Sequence, residues 1–171
     1  MKAAAVITVS DGCARGLRPD LSGSALSKML ASEGFSVVHT CTVPDEIALI
    51  REAVCRWSRP DVRLIVTTGG TGIAPRDVTP EAIRPLLEKE MPGLGELMRL
   101  RGLEDTAAAA ISRSLAGVLN RTLVLCLPGS VKGATQSLAA VAKLIPHILD
   151  LLSGATEHSR SEDAGGLDPA G

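Results

Sequence analysis

TTGGTGIAPRDVTPEA, residues 67 to 82, links an apolar run to a predicted helix through a glycine-rich loop and a proline turn. The apolar residues 64–66 ahead of it predict a buried strand. Three of the four residues at 69–72 are glycine, and a carboxylate, Asp77, follows the Pro75-Arg76 turn. Pro80 predicts a helix start because proline is tolerated in the first helical turn. Such a loop at the end of a strand is typical of a ligand-binding edge in an α/β sheet.

Apolar segments with strand character alternate with amphipathic helical segments along most of the chain. The predicted strands are residues 3–9, 35–43, 62–68 and 122–127. The first predicted helix starts at Ser22 or Ser24 and ends at Gly34. Three more start at 44–46, 79–81 and 91–93, and the last runs from 131 to 152 with a disturbance at Pro146. Residues 104–117 are rich in alanine and favour no single structure. Strands that are apolar on both faces and alternate with helices predict an α/β fold, with a mostly parallel sheet covered by helices.

The composition favours one globular domain and excludes several functional classes. The length of 171 residues fits one domain at 1–152, followed by a mobile polar tail at 153–171. One Phe, one Trp and no Tyr leave too few aromatic rings for stacking on single-stranded nucleic acid. A net charge of −1 without blocks of like charge gives no electrostatic attraction to DNA or to a membrane surface.

Cysteine usage and hydropathy favour a cytoplasmic location. The four cysteines are Cys13, Cys41, Cys55 and Cys126, and no two of them form a CxxC pair. This spacing favours neither a zinc site nor a disulfide framework, and it fits reduced thiols. No apolar run approaches the roughly 20 residues that a membrane-spanning helix needs.

Polar or glycine-rich segments follow each of the four predicted strands. They begin at Ser10 and Asp11, at Asp45, at Gly69 and at Pro128. The carboxyl ends of parallel strands share one edge of a sheet, and ligands bind there near a reversal of strand order. Four such loops on one edge favour a ligand site over coincidence.

The glycine loop suits the phosphate groups of a ligand. Gly69, Gly70, Thr71 and Gly72 would let backbone N–H groups approach phosphate oxygens without interference from Cβ atoms. The pattern is neither a P-loop, which ends in Gly-Lys-Ser/Thr, nor a GxGxxG dinucleotide turn. A tight loop without a ligand is the alternative interpretation.

Two carboxylates on this edge are candidate ligands for Mg²⁺. Magnesium takes few protein carboxylates and completes its shell with phosphate and water, which suits Asp77. Asp45 would be a second carboxylate that holds the metal or orients a reacting group. Each also has a structural alternative, since Asp77 would cap the next helix and Asp45 would complement a helix dipole. Arg76 is either a phosphate ligand or a surface charge.

Two further segments are candidate anion sites. Ser112 and Arg113 would hold an anionic ligand through a hydroxyl and a guanidinium, although a capped turn explains them equally well. Ser130 and Lys132 lie at a predicted helix start, where backbone N–H groups favour an anion.

These residues together resemble the signature of the molybdopterin adenylyltransferases. That family includes bacterial single-domain enzymes and matching domains of plant molybdenum cofactor proteins and of animal gephyrin. The block at 67–82 carries the most specific part of the resemblance. The other matching motifs are residues 8–11, 20–23, 43–46, 112–113 and 127–130. The resemblance covers about residues 3–152 and leaves only the tail outside it.

The resemblance implies a fold and an activity. The fold would be a three-layer α/β molybdopterin-binding-type domain, usually a homotrimer. The enzyme would transfer AMP from Mg-ATP to the terminal phosphate of molybdopterin and release pyrophosphate. ATP would be the co-substrate and Mg²⁺ the cofactor, and the product would pass to a molybdenum-insertion enzyme.

The resemblance also implies roles for individual residues. Asp45 and Asp77 match the two essential acidic positions of the family and would hold the metal. The residues that match nucleotide contacts are Gly69, Gly70, Thr71, Gly72, Leu127, Pro128, Gly129 and Ser130. The residues that match the molybdopterin side are Ser10, Asp11, Ser22, Gly23, Ser112 and Arg113. The alternative hypothesis is a weakly active or inactive paralogue that binds molybdopterin or nucleotide as a scaffold module.

Overall fold

A computed structural model describes residues 2–154 of the chain. The strands are β1 (Lys2–Val9), β2 (Phe35–Val43), β3 (Val62–Thr68), β4 (Lys89–Glu90), β5 (Leu115–Leu119) and β6 (Thr122–Leu127). The helices are α1 (Asp11–Ala14), α2 (Leu21–Ser32), α3 (Ile47–Trp57), α4 (Thr79–Ile83), α5 (Pro92–Leu103), α6 (Val131–Ala142) and α7 (Ile145–Ser153). Short 3-10 helices cover Arg84–Leu86 and Ala107–Ile111. Most of the predicted tail, residues 155–171, lies outside the described residues.

The strands form one six-stranded sheet in the order β2-β1-β3-β6-β5-β4. Strands β2, β1, β3 and β6 run parallel, and β5 is antiparallel to both β6 and β4. The chain moves from β1 to β2 on one side and from β3 towards β6 on the other. The strand order therefore reverses between β1 and β3, which is where an α/β sheet opens a crevice for a ligand.

The register of the central strands brings three loops to the same height. Thr8 of β1 pairs with Thr68 of β3, and Thr68 pairs with Leu127 of β6. The segments that follow these strands thus start side by side. The sequence could not give this alignment, because it depends on the pairing of strands far apart in the chain.

Helices cover both faces of the sheet, and each face has its own apolar cluster. Successive side chains of a strand point to opposite faces. In β1, Ala4 and Val6 accordingly pack with the cluster of α2, α5, α6 and α7, whereas Ala5 and Ile7 pack with the cluster of α3 and α4. Aliphatic residues fill both clusters almost entirely. The predicted α/β fold with three layers and a mostly parallel sheet is confirmed.

Two local predictions differ from the structure. Helix α2 is capped by Asp20, whose carboxylate accepts a hydrogen bond from Gly23 N at 2.8 Å, so the predicted caps Ser22 and Ser24 are wrong. The predicted helix at 131–152 is two helices, since α6 ends at Ala142 and Pro146 occupies the first turn of α7.

The alanine-rich segment at 104–117 changes structure within a few residues. It contains the 3-10 helix Ala107–Ile111 and then enters β5, whose five residues are all buried. Alanine suits both environments, so propensity alone does not separate them. Within residues 2–154, no helix combines the length and apolar character needed to cross a bilayer.

Candidate active site

A cleft of about 550 Å³ lies at the carboxyl edge of the sheet, beside the reversal of strand order. Its walls come from the segments after β1, β2, β3 and β6 and from the start of α2. The cleft is lined by ten of the predicted site residues: Ser10, Ser22, Asp45, Gly69, Gly70, Thr71, Gly72, Asp77, Gly129 and Ser130. The expected gathering of the four loops on one edge is therefore present.

Six predicted site residues do not line this cleft: Asp11, Gly23, Leu127, Pro128, Ser112 and Arg113. Gly23 supports the Asp20 cap, and Leu127 is fully buried. Pro128 and Ser112 line a second cleft of about 280 Å³, which adjoins the first at Ser130. Asp11 and Arg113 contact the walls of the main cleft from outside.

The glycine loop is tightly packed against its neighbours. Gly69 has a φ of +105°, and a Cβ atom there would overlap the Val9 carbonyl oxygen. Gly129 lies so close that its own Cβ would be 3.1 Å from Gly69 Cα. The hydroxyl of Thr79 donates to Gly69 O at 2.8 Å and fixes the loop to α4. The glycines therefore have a packing role, which accompanies any role in ligand binding.

A charged network supports Asp45. Asp11 N donates to Asp45 Oδ2 at 2.8 Å, and Asp45 N donates to Asp11 Oδ1 at 3.1 Å. The Arg76 guanidinium binds both carboxylate oxygens of Asp11, with its closest approach at 2.8 Å. This hydrogen-bonded partner lowers the pKa of Asp11. Arg76 thus joins the loop after β3 to the loop after β1.

The pKa of Asp45 is shifted upward, whereas that of Asp11 is shifted downward. Burial raises the pKa of its carboxyl, and the nearby charges of Asp11 and Asp77 act in the same direction, although the hydrogen bond from Asp11 N opposes them. A raised folded pKa means that the charged form is less favourable in the folded protein than in the unfolded chain. Asp45 is therefore placed for a partner that brings positive charge.

The Asp45→Asn variant should be more stable than the parent at neutral pH. Because the pKa of Asp45 is higher in the folded protein than in the unfolded chain, its protonated form stabilises the fold, fully so at pH values below 3.8. This contribution is lost as the pH rises through the pKa of the folded protein. Removing the charge should raise the Tm at pH 7 by roughly 1–3 °C, and the gain should vanish in acid. Thermal unfolding from pH 3 to 8 measures it, with Asp61→Asn as an exposed control. A lower Tm at neutral pH would contradict this description of Asp45.

Asp77 does not cap the helix that follows it. Helix α4 begins after Val78 without a side-chain cap, and Asp77 Oδ2 instead accepts a hydrogen bond from Ala74 N at 2.8 Å. Gly72 leaves room for this carboxylate, because a Cβ there would be 2.7 Å from Oδ2. Among the described residues, Oδ1 of Asp77 and Oδ1 of Asp45 accept no hydrogen bond. Each carboxylate thus keeps one oxygen for a ligand.

Arg113 fastens the loop that carries Asp77. Its guanidinium donates to Gly72 O at 2.7 Å and to Asp77 O at 2.6 Å, and it forms an ion pair with Glu81. Its backbone N–H donates to Thr71 O at 2.8 Å. Three of the four partners, Thr71, Gly72 and Asp77, belong to the loop at residues 69–77. The sequence left both an anion site and a capped turn open for Arg113, and in the structure the side chain makes these contacts within the protein.

Loss of the Arg113 side chain should loosen the loop before it unfolds the domain. The Arg113→Ala variant should exchange the amide hydrogens of Asp77 and Thr79 about 10-fold faster, because hydrogen bonds from a charged donor are each worth about 1.5–3 kcal/mol. Hydrogen exchange followed by mass spectrometry measures the segment, with β1 as the internal reference. Unchanged exchange at 71–81, or an equal increase throughout the domain, would contradict a fastening role.

The main cleft contains one basic residue that is not among the predicted site residues. Arg18 lines it, and its Nη2 donates to Ser10 Oγ at 2.8 Å. No motif indicates this position, because the path of residues 15–19 is not set by any periodic pattern. Asp20 also lines the cleft, and its carboxylate accepts from Thr8 Oγ1 at 2.6 Å as well as capping α2.

Comparison with known proteins identifies the family. Residues 5–147 match the family described as "Probable molybdopterin binding domain". The chain belongs to this family. The match spans every element from β1 to the start of α7, so it includes all four loops of the cleft. The predicted family membership is confirmed.

Several relatives have informative names. A "Molybdopterin adenylyltransferase" of Helicobacter pylori is 39% identical over 152 residues, covering 87% of this chain and 86% of that protein. "Molybdenum cofactor synthesis protein cinnamon" of Drosophila melanogaster is 43% identical over 86% of this chain, which spans only 25% of that protein. The crystal structure of the molybdopterin biosynthesis enzyme MoaB of Thermus thermophilus is 50% identical with a TM-score of 0.84, covering 90% of this chain and 98% of that one.

Proposed function

We propose that this chain is a molybdopterin adenylyltransferase of molybdenum cofactor biosynthesis. It would transfer AMP from ATP to the terminal phosphate of molybdopterin and release pyrophosphate. The observation that carries the proposal is the main cleft, where a glycine loop and two carboxylates with unused oxygens, Asp45 and Asp77, meet at the carboxyl edge. The name of the Helicobacter pylori relative, which this chain covers at 86% of its length, supports the same activity.

The chemistry requires positioning more than proton transfer. An oxygen of the molybdopterin phosphate attacks the α-phosphorus of ATP, and the bond from that phosphorus to the pyrophosphate oxygen breaks. The attacking phosphate is already ionised at neutral pH, so no strong general base is needed. The protein would hold two anions in line and reduce their repulsion.

The backbone of the cleft suits the nucleotide. Gly70 and Gly72 lie against Asp45 and Asp77, where a Cβ atom would meet Asp45 Oδ1 and Asp77 Oδ2. Backbone N–H groups of such a loop would face phosphate oxygens. The loop of Pro128, Gly129 and Ser130 at the end of β6 would take the rest of the nucleotide. The molybdopterin side would be Ser10 and Ser22 in the main cleft and Ser112 in the adjoining one. Arg113 would act by holding the Asp77 loop.

The two carboxylates of the cleft suit Mg²⁺ by their chemistry. Within residues 2–154, Asp45 and Asp77 each have one oxygen that accepts no hydrogen bond, and no cluster of three or more side chains would form a complete metal site. Magnesium bound with substrate phosphates commonly uses only one or two carboxylates. When bound, the ion would neutralise charge on the phosphates. Asp45 and Asp77 would hold it through their free oxygens.

A homotrimer, a cytoplasmic location and transfer of the product to a molybdenum-insertion enzyme belong to the same proposal. Pyrophosphate release from Mg-ATP with and without molybdopterin tests its first step. Release that requires molybdopterin supports adenylyl transfer. Release without it would indicate nucleotide hydrolysis, and no release from a chain that binds molybdopterin would indicate a binding paralogue.

A further inference from the structure

Arg18 brings a positive charge into a cleft that is otherwise acidic. Among the described residues, it is the one basic side chain lining the main cleft, which also holds Asp20, Asp45 and Asp77. Both substrates of the proposed reaction carry several negative charges. A protein cation in this cleft would favour binding of either one, because charges attract more strongly where water is partly excluded.

The guanidinium of Arg18 is held in place and still has free donors. Its Nη2 donates to Ser10 Oγ at 2.8 Å, and Ser10 is itself 93% buried, with an exposed fraction of 7%. No carboxylate of the described residues forms an ion pair with Arg18, in contrast to Arg76 and Arg113. An anchored guanidinium with unpaired N–H groups suits a planar, two-point contact with phosphate.

The backbone beside Arg18 also leaves room for it. A Cβ atom at Gly12 would be 2.9 Å from Arg18 Nε, which is closer than real Cβ contacts. Gly12 has no positive φ, so glycine is not required there by backbone conformation. The absence of a side chain at Gly12 lets the guanidinium lie against α1 and point into the cleft.

We propose that Arg18 is a substrate-binding residue that contacts a phosphate group in the main cleft. The inference rests on the proposed function for the identity of the substrates, which are ATP and molybdopterin. The shared chemistry is a phosphate oxyanion bound by a guanidinium. Arg18 lies on the loop between α1 and α2 and lines the same cleft as Gly129 and Ser130.

The test measures equilibrium binding of Mg-ATP and, separately, of molybdopterin to the full chain. The Arg18→Ala variant should bind one of the two on the order of 10- to 100-fold more weakly, since hydrogen bonds from charged donors have this value. Arg18→Lys should recover part of the loss. The matched control is Arg15→Ala, which removes the same charge three residues away and outside the cleft, and should stay within about twofold.

A second variant tests the position of Arg18 without removing its charge. Gly12→Ala should displace the guanidinium and weaken binding of the same substrate, whereas in the Arg18→Ala background it should have little further effect. Such non-additivity indicates that both changes act through one contact. Circular dichroism and thermal unfolding confirm that each variant is folded.

The two arms identify the phosphate that Arg18 contacts. Weaker binding of Mg-ATP alone assigns Arg18 to the nucleotide, and weaker binding of molybdopterin alone assigns it to the acceptor. Unchanged binding of both, or an equal loss in the Arg15 control, would overturn the inference. Because binding is read without turnover, a chain that releases no pyrophosphate contradicts the proposed function and leaves this test of Arg18 intact.

Discussion

The Asp77→Asn variant should lose about 10²- to 10³-fold in the rate of molybdopterin-dependent pyrophosphate release, the range expected when a group that stabilises the transition state is removed. Among residues 2–154, Asp77 Oδ1 accepts no hydrogen bond, so this oxygen would be a ligand of the Mg²⁺ ion. The loss of the carboxylate charge would weaken binding of that ion. Stability should change little, because Asn retains an acceptor for Ala74 N. Steady-state rates and the Tm of the same preparation measure both effects.

The control for this variant is a carboxylate remote from the cleft. Asp61 lies at the amino end of β3 and pairs with Arg59 on the surface. Asp61→Asn should retain the rate of the parent. Equal losses of rate and thermal stability in Asp77→Asn would contradict a role in chemistry and would indicate that the carboxylate mainly supports its own loop.

The Gly69→Ala variant adds one methyl group and should destabilise the domain by about 3 kcal/mol or more. This is the largest loss of stability that we expect from any of the variants. Its φ of +105° is unfavourable for alanine, and its Cβ would overlap the Val9 carbonyl of the neighbouring strand. Backbone cannot move aside as a flexible side chain can. Urea unfolding measures the change in the free energy of unfolding.

Gly34 supplies a matched control for the backbone term. Its φ is +83°, and a Cβ atom there would meet nothing within 4 Å. Gly34→Ala should therefore show only the conformational cost, about 1–2 kcal/mol. If both variants lose the same stability, close packing between β1 and β3 is not what requires glycine at position 69.

Local patterns predicted the strands of this fold more accurately than the boundaries of its helices. The predicted strands at 35–43, 62–68 and 122–127 match β2, β3 and β6 residue for residue, because each is a β-branched or aliphatic run that a glycine or proline terminates nearby. The cap at Asp20 was missed because Ser22 and Ser24 are equally good cap residues in isolation. Tertiary contact with Thr8 distinguishes Asp20 from them.

The positions of the loops could be predicted, but the direction of their side chains could not. Parallel strands alone predict that the segments after β1, β3 and β6 share an edge. Arg113 could not be assigned from sequence, since its partners Gly72, Asp77 and Glu81 lie 32 to 41 residues earlier. Arg18 lacked any motif, and only the folded path of its loop brings it to Ser10.

The central claim is that the α-phosphate of ATP becomes bonded to the phosphate of molybdopterin. The direct measurement supplies the chain with Mg-ATP labelled at the α-phosphorus, with and without molybdopterin, and isolates the pterin product. We expect the label in a pterin product that contains AMP, in amounts equal to the pyrophosphate released and greatly reduced in Asp77→Asn. Label that appears only in free AMP, with or without molybdopterin, would contradict the proposed adenylyl transfer.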